Sequence, residues 1–365
     1  MPLSPRIVRA KAFLCDLPVE RPRSDATQSF LKQETIFVEL ETGDGNAGMG
    51  YSYTIGTGGR SVLELLRHDL LPGLAGSDSG GREAIWARLL AATRATAVGA
   101  VTSLALAAVD TAVWDLWCKA TGQPLWLAAG GARPSVPLYD TEGGWLHLST
   151  DELVANAKRV REAGWSGAKI KVGKPSAHED VERVAAVRDA LGPELDLMVD
   201  ANQAFTLAEA RRRARLLEPY NLCWFEEPLP ADDIEGHARL AGSTSVPIAV
   251  GESLYSLAQF REYLERRAVG IVQVDAARIG GITPWLKVAH LAEACNVQVA
   301  PHFLMELHVS LAAAIPNGRC VEFIPQLRAV TTTELSCEKG EAVPPGEPGL
   351  GIAWDADAIA NYRVA

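Results

Sequence analysis

Several features that define common protein classes are missing from this sequence of 365 residues. Its six cysteines are scattered, with no CxxC pair and no zinc-like spacing, so we expect reduced thiols rather than a disulfide framework. Positive charge is in deficit, since the formal net charge is −10 and no basic tract occurs. Because general nucleic-acid binders neutralise phosphates with lysine and arginine, we expect no nucleic-acid partner.

Long apolar runs are also absent. The N-terminal segment MPLSPRIVRAKAFL lacks the apolar core of a signal peptide. The longest apolar stretch, around residues 104–113, is interrupted by Asp110 and is too short to span a bilayer. We therefore expect a cytoplasmic protein without a membrane partner, and we expect it to form a homo-oligomer. The chain length and an apolar content of 48% are sufficient for a large buried core.

Residues 1–130 have a pattern of their own. Residues 6–17 and 35–42 alternate apolar and polar side chains, residues 43–46 have turn chemistry, and a return strand is predicted near Gly50. Three helical patterns follow, at residues 60–71, 81–96 and 102–121. Antiparallel strands followed by helices predict an α+β domain.

From about Pro134, short apolar segments alternate with amphipathic helical patterns. Eight segments are predicted to be buried strands, near residues 136–141, 168–172, 195–200, 222–226, 248–252, 271–275, 297–302 and 320–324. Helical patterns separate most of them, at residues 151–163, 178–191, 207–217, 256–267, 284–294 and 306–314. This alternation predicts a parallel α/β barrel over residues 131–325, with a doubly wound open sheet as the alternative. The Pro- and Gly-rich residues 326–365 are expected to return to the N-terminal domain.

Ionisable residues stand at the carboxyl ends of the predicted barrel strands, which is where active sites lie in such barrels. Asp200, Glu226 and Glu252 end three successive strands and recur at intervals of 26 residues. Three converging carboxylates would repel one another, and a hard divalent cation removes that conflict; oxygen ligands alone favour Mg²⁺. Glu227 should face away from Glu226 by strand alternation and have a supporting role.

Lysine and histidine at other strand ends are candidate acids and bases. Lys169 and Lys171 share one face of the second barrel strand, and both mutual repulsion and burial should lower their pKa values toward neutrality. His302 ends the strand after the one that carries Asp275, and a carboxylate on one imidazole nitrogen fixes the tautomer. Lys171 and His302 could therefore address opposite faces of a bound substrate.

The combination resembles the enolase superfamily, mandelate racemase subgroup, over nearly the whole chain. The motifs that carry the resemblance are the Lys169-x-Lys171 pair, the carboxylates Asp200, Glu226 and Glu252, the Asp275 and His302 pair, and Glu322. The resemblance implies a modified TIM barrel, (β/α)7β, preceded by an N-terminal α+β capping domain. The muconate-lactonising branch has a lysine on the sixth strand, which is absent around Asp275.

The resemblance also implies roles for these residues. Lys171 and His302 would be the two acid/base catalysts, with Asp275 paired to His302, and Lys169 and Glu322 would contact the substrate carboxylate. The implied cofactor is Mg²⁺, which acts in this superfamily with a Lys or His base to stabilise an enediolate. The implied partner is a small-molecule carboxylate.

Further residues are candidates for substrate contacts. By the resemblance, Asn202 would support the metal side of the site, and Thr141 falls where the racemase has a serine that donates to the carboxylate. Tyr51 opens a hydroxyl-rich cap segment, Tyr-Ser-Tyr-Thr, which favours a sugar over a bare aromatic substrate. Arg21 and Arg23 could bind a distal carboxylate or be solvated surface residues.

Three functions are compatible with these residues. The first is a lyase that dehydrates an aldonate or aldarate to a 2-keto-3-deoxy acid, with one group removing the α-proton and the other protonating the departing β-hydroxyl. The alternative is a racemase or epimerase of a 2-hydroxy acid, which uses the same groups without a leaving group. The third, a non-catalytic binding protein, is disfavoured by the intact set of ionisable residues.

Overall fold

The computed structural model describes residues 5–30, 32–96 and 99–365. Its N-terminal part contains a three-stranded antiparallel sheet, in the order β1-β4-β5, and a separate small hairpin formed by β2 and β3. The strands are β1 (Ile7–Leu17), β2 (Arg23–Ser24), β3 (Ser29–Phe30), β4 (Gln33–Thr42) and β5 (Ala47–Thr54). Strand β5 contacts the barrel through Tyr53 and Asp275, and the hairpin contacts it through Ser24 and Leu146.

Helices cover one face of this sheet. They are α1 (Gly59–Leu65), which continues as a π-helical turn (Leu66–Leu70) and a 3₁₀ turn (Leu71–Leu74), α2 (Arg82–Ala92), α3 (Ala100–Thr121) and α4 (Leu125–Ala128). Helix α3 approaches β5 closely, since a Cβ atom on Gly50 would lie 2.2 Å from the backbone nitrogen of Ala112. It is long and apolar enough to span a membrane by length and composition, but 89% of its apolar window is buried in the protein. It is therefore a core helix, which ends at Gly122 with φ of 68°.

The barrel consists of eight parallel strands. They are β6 (Val136–Asp140), β7 (Gly167–Lys171), β8 (Asp196–Asp200), β9 (Trp224–Glu226), β10 (Ile248–Val250), β11 (Ile271–Val272), β12 (Gln298–Val299) and β13 (Val321–Phe323). Neighbours pair in chain order from β6 to β12, and β13 pairs with β6. A parallel bridge from Val299 to Gly318 closes the ring beside β12. The predicted fold class, a modified TIM barrel with an α+β cap, is confirmed.

Helices connect the barrel strands. They are α5 (Thr150–Glu162), α6 (Ala177–Leu191), α7 (Leu207–Leu217), α8 (Ile234–Ala241), α9 (Leu257–Glu265), α10 (Ala276–Ile279), α11 (Ile282–Ala294) and α12 (Met305–Ala314), with a 3₁₀ turn at Glu218–Tyr220. The sequence pattern did not predict α8 or α10. Both are short, and α8 includes Gly236, a poor helix former, next to His237, which is buried on the core side.

The C-terminal segment lies against both parts of the molecule. It forms β14 (Ser336–Glu338), β15 (Glu341–Val343) and α13 (Ala356–Tyr362). Strand β15 pairs with β6, and the Leu14 N–H of β1 donates to the Ala365 carbonyl at 2.9 Å. Trp354 packs edge-on against Phe37 and Tyr51, with ring centroids 5.1 and 5.5 Å apart. These last residues therefore join the barrel to the cap sheet.

The cap and the barrel also meet through buried polar contacts of α3. Asp110 accepts hydrogen bonds from the Thr283 N–H at 2.8 Å and the Thr283 hydroxyl at 2.7 Å, at the start of α11. Trp114 donates its indole N–H to the same hydroxyl at 2.9 Å. Asp110 lies on cap helix α3 and accepts a hydrogen bond from a backbone amide in the first turn of barrel helix α11. This contact helps to fix the orientation of the cap on the barrel.

Candidate active site

The carboxyl ends of β8, β9 and β10 bring three carboxylates together. One oxygen from each of Asp200, Glu226 and Glu252 lies within 4.8 Å of the others. Burial raises the pKa of Glu226, and the negative charge of Asp200 adds to the effect. The Asn202 N–H donates to Asp200 at 2.8 Å, while the Asn202 side-chain oxygen is buried with no hydrogen-bond partner among the described residues. An all-oxygen set with an unused acceptor fits a hard cation such as Mg²⁺.

Both lysines of β7 face this cluster. The Lys169 Nζ lies 2.7 Å from Glu226 Oε1 and 2.9 Å from Glu322 Oε1, and Lys171 forms an ion pair with Asp200. Burial opposes the charge of each lysine, but the facing carboxylates outweigh it, so the pKa of Lys169 is raised well above its ordinary value and that of Lys171 is also raised. The predicted lowering of both pKa values is wrong for this structure. The neighbouring carboxylates act on each lysine more strongly than the other lysine does.

His302 and Asp275 form the predicted pair. The His302 Nδ1 lies 2.9 Å from Asp275 Oδ2, and the Nε2 lies 3.2 Å from Glu252 Oε2. Burial lowers the pKa of His302, but Glu252 and the hydrogen bond with Asp275 raise it, with a net rise. Asp275 itself is fully buried, which raises its pKa, yet the hydrogen bond from His302 keeps the pKa below its ordinary value. The imidazole is therefore held in one orientation beside the carboxylate cluster.

Asp275 accepts hydrogen bonds from both domains. The Tyr53 hydroxyl of cap strand β5 donates to Asp275 Oδ2 at 2.8 Å. The backbone amides of Ala277 and Arg278 donate to the other oxygen at 2.7 and 3.2 Å, which caps the short helix α10. With the His302 contact, both oxygens of Asp275 carry two partners each.

Thr141 and Glu322 lie on the other side of the cluster. The Thr141 hydroxyl donates to Glu322 Oε1 at 2.7 Å, and the Phe303 N–H donates to Glu322 Oε2 at 2.7 Å. Burial raises the pKa of Glu322, but the Lys169 ammonium and His302 lower it further than burial raises it. Glu322 thus has a lowered pKa and pairs with Lys169.

A cavity of about 530 Å³ opens above these groups. Its barrel side includes the predicted residues Lys171, His302, Glu252, Thr141, Asn202 and Glu322, and its cap side includes Asp25, Thr27, Gln28, Phe30 and Ile55. The hairpin of β2 and β3 is held over the mouth because the Leu146 N–H donates to the Ser24 carbonyl at 2.9 Å. Phe30 also packs edge-on against Trp145, with centroids 5.4 Å apart.

Tyr51 does not line the cavity in which a substrate would bind. Its side chain is 2% exposed, packs against Trp354 and does not line the cavity. Tyr51 and Tyr53 share a face of β5, but Tyr51 stands two residues, roughly 7 Å, farther along the strand. Tyr53 donates a hydrogen bond to Asp275 at the barrel mouth. The assignment of Tyr51 as a substrate ligand is therefore wrong, and the hydroxyl-rich segment meets the site through Tyr53.

Glu227 faces the cavity rather than away from it. Strand β9 ends at Glu226, and Glu227 has φ of 36°, so strand alternation no longer applies. Its side chain is buried and accepts a hydrogen bond from Gln203 Nε2 at 3.1 Å. Burial, and then the charge of Glu252, raise its pKa. The expectation that it faces away is corrected, because a left-handed residue directly after the strand turns the side chain inward.

The arginines proposed for a distal carboxylate are engaged elsewhere. Arg23 is buried, forms an ion pair with Glu142 at 3.1 Å and donates to the Pro325 carbonyl at 2.7 Å. Arg21 lines a different cavity. Arg278 does line the main cavity, and sequence reasoning missed it. Its position three residues after Asp275, at a barrel strand end, was the signal that could have found it.

A capped (β/α)7β barrel with a carboxylate cluster between lysines on the second strand and a histidine on the seventh defines the enolase superfamily. A family model described as "Enolase C-terminal domain-like" matches residues 152–358, and one described as "Mandelate racemase / muconate lactonizing enzyme, N-terminal domain" matches residues 9–130. The chain belongs to the mandelate racemase / muconate lactonizing enzyme family of that superfamily.

Several characterised proteins are similar over nearly their full length. L-talarate/galactarate dehydratase of Salmonella typhimurium is 38% identical over 359 residues, which cover 97% of this chain and 90% of that protein. The 3,6-anhydro-alpha-L-galactonate cycloisomerase of Streptomyces coelicolor is 35% identical over 98% of this chain and 99% of its own. The crystal structure of L-talarate dehydratase from Polaromonas sp. JS666, complexed with Mg and L-glucarate, is 39% identical with a TM-score of 0.94, covering 99% of this chain and 98% of that one.

Proposed function

We propose that this protein is a Mg²⁺-dependent lyase that dehydrates a sugar acid to a 2-keto-3-deoxy acid. The observation that carries the proposal is that Lys171 and His302 both line one cavity, from the second and seventh barrel strands, beside the carboxylate cluster. Two acid/base groups are what a dehydration needs, because a proton leaves one carbon and hydroxide must be protonated as it leaves the next. The similarity to dehydratases supports this choice of reaction.

The substrate carboxylate would be held between the cation site and Lys169. Asp200, Glu226 and Glu252 would hold Mg²⁺. When bound, Mg²⁺ supplies positive charge that stabilises the enediolate anion and competes with the two lysines for the cluster carboxylates. Lys169, which is buried between Glu226 and Glu322 and does not itself line the cavity, would donate to a carboxylate oxygen from the second barrel strand.

Lys171 would remove the α-proton. It ends β7 at the edge of the cavity, is buried, and has its ammonium 5.2 Å from the Trp145 ring centroid. Loss of the α-proton leaves the electron pair on the enediolate of the substrate. Expulsion of the β-hydroxyl then breaks the C–O bond and gives an enol, which tautomerises to the 2-keto-3-deoxy acid.

His302 would protonate the departing hydroxyl. Its Nδ1 is engaged with Asp275, so the Nε2 is the nitrogen that can deliver a proton to the cavity. The hydrogen bond between Nδ1 and the Asp275 carboxylate favours the imidazolium form that this step requires. The same two groups could also move a proton between the faces of an α-carbon, so racemisation or epimerisation of a 2-hydroxy acid is the alternative.

A screen of C4–C6 sugar acids tests the proposal. With Mg²⁺ present, at least one acid should give a 2-keto-3-deoxy product, detected as its semicarbazone. The Lys171→Ala protein is the matched control and should give none. Mandelate, which has no β-hydroxyl, should show at most slow exchange or racemisation. Efficient racemisation of mandelate with no sugar acid dehydrated would overturn the choice of lyase in favour of the alternative.

A further inference from the structure

Most buried or half-buried arginines in this protein have an anionic or carbonyl partner. Arg23 pairs with Glu142, Arg213 with Asp180, and Arg319 with Asp196. Such pairing is expected, because a charge removed from water is costly unless another group compensates it. Arg278 differs. No carboxylate oxygen of the described residues lies within 4.0 Å of its guanidinium.

The surroundings of Arg278 leave most of its donors unused. Its Nη1 donates to the Tyr255 hydroxyl at 3.0 Å, and the guanidinium lies 5.5 Å from the Tyr53 ring centroid. Asp275 is close along the chain, but both of its oxygens already have two donors each, from His302, Tyr53 and two backbone amides. A guanidinium has five N–H donors in a planar fork, so the remaining edge is available to a ligand in the cavity that it lines.

The position of Arg278 is opposite the end of the site that takes the substrate carboxylate. Lys169 stands on β7, with Thr141 and Glu322 on or beside the neighbouring strands β6 and β13. Arg278 follows β11, which is four strands from β7 in a ring of eight. The barrel mouth therefore has a cationic group on each of two opposite sides.

One charged residue that lines the cavity is a candidate to bind a second anionic group of the substrate. The cationic lining residues are Lys171, His302 and Arg278, and the first two are assigned to proton transfer. The cap hairpin and the barrel rim contribute Asp25 and Asp232, which would repel a second carboxylate. Among the described residues that line the cavity, Arg278 alone can pair with such a group.

We propose that Arg278 binds the distal carboxylate of the substrate, and that the preferred substrate is an aldarate rather than an aldonate. This inference rests on the proposed dehydratase function and narrows it. An arginine and a carboxylate form two parallel charge-assisted hydrogen bonds, an interaction that the hydroxymethyl end of an aldonate does not provide.

The test compares a C6 aldarate with the aldonate of the same configuration, galactarate with galactonate and glucarate with gluconate. The parent enzyme should have the higher kcat/KM for the aldarate. Arg278→Gln should lower the ratio of the two kcat/KM values by about 10- to 100-fold, which is the range for a lost hydrogen bond to a charged group. Where an aldonate is not turned over, its inhibition constant against the aldarate takes the place of kcat/KM in the comparison.

Two variants make the result specific. Arg278→Lys keeps the positive charge but loses the planar guanidinium, so it should retain part of the preference for the aldarate in kcat/KM. This variant replaces Arg278→Gln in the test if the glutamine variant does not fold. Arg82 is the matched control, because it is also half-buried and has no carboxylate partner among the described residues, yet its guanidinium stacks on Trp117 away from the cavity. Arg82→Gln should leave the ratio unchanged.

The outcomes separate this inference from the function on which it rests. If Arg278→Gln lowers kcat/KM equally for the aldarate and the aldonate, Arg278 acts by positioning Asp275 and His302 and does not bind the distal carboxylate. A parent enzyme that prefers aldonates would also overturn the inference, and the dehydratase function would stand. If no sugar acid of either class is dehydrated, the proposed function itself fails.

Discussion

Asp110 gives a test of the junction between the cap and the barrel. The carboxyl is buried, and burial raises its pKa to about 7 from the ordinary value of 3.8, although the hydrogen bonds from Thr283 lower it. Asparagine at this position keeps the shape and the contacts. Its oxygen can accept from the Thr283 amide, and its amide nitrogen can donate to the Thr283 hydroxyl oxygen. Asp110→Asn therefore removes the titration and little else.

The sign of the effect follows from the direction of the shift. Between pH 5 and pH 7 the folded state keeps a proton on Asp110 that the unfolded state has lost, so stability falls as pH rises. At about 1.4 kcal/mol per pH unit, the loss across this range is about 3 kcal/mol, and it is complete above the folded pKa. For 365 residues at about 2.1 cal/mol/K of unfolding entropy per residue, this corresponds to about 4 °C in Tm.

The assay is the Tm of the parent protein and of Asp110→Asn at half-unit steps from pH 5 to pH 8. The difference, variant minus parent, should increase by about 4 °C across the series, because only the parent has the Asp110 carboxyl to ionise. Asp69→Asn, which removes the carboxylate of an exposed aspartate of the cap, is the control against which the pH dependence of Asp110→Asn is compared. Parallel Tm curves for the parent and Asp110→Asn would refute the reasoning.

Three further predictions concern the site. Glu252→Gln should weaken Mg²⁺ binding, measured by calorimetric titration, and full activity of EDTA-treated parent protein would contradict a metal at the cluster. Lys171→Ala and His302→Asn should each lower kcat by about 10²- to 10⁴-fold, while one of them still exchanges the substrate α-proton in D₂O; two variants that turn over like the parent would remove both assignments. Tyr53→Phe removes a donor to a buried carboxylate and should lower kcat about tenfold with KM nearly unchanged, whereas a change confined to KM would speak against its action through Asp275.

The barrel and most of its chemical groups could be predicted because their signals are local. Each strand is a short apolar segment followed by an ionisable residue, and parallel strands in a barrel bring all such ends to one face. Asp200, Glu226 and Glu252 needed only this rule to be placed together, and the structure puts their oxygens within 4.8 Å. The same rule placed Lys171 and His302 on one cavity.

What the sequence did not predict depends on where a strand ends and on contacts between domains. Strand β9 stops at Glu226, so alternation gave the wrong direction for Glu227. The choice between Tyr51 and Tyr53 depends on how far the cap strand extends over the barrel, and no periodicity contains that information. The lysine pKa values depend on which carboxylate each ammonium meets, and those partners come from other strands.

The hydrogen bond from Tyr53 to Asp275 also constrains how such enzymes can be recombined. A chimera that joins this barrel to the cap of a relative will keep its acid/base chemistry intact only if the new cap supplies a phenol at the same place on its third long strand. The hairpin residues that line the cavity, Asp25, Thr27, Gln28 and Phe30, belong to a segment separate from β5. Library design should therefore vary the hairpin and leave β5 fixed.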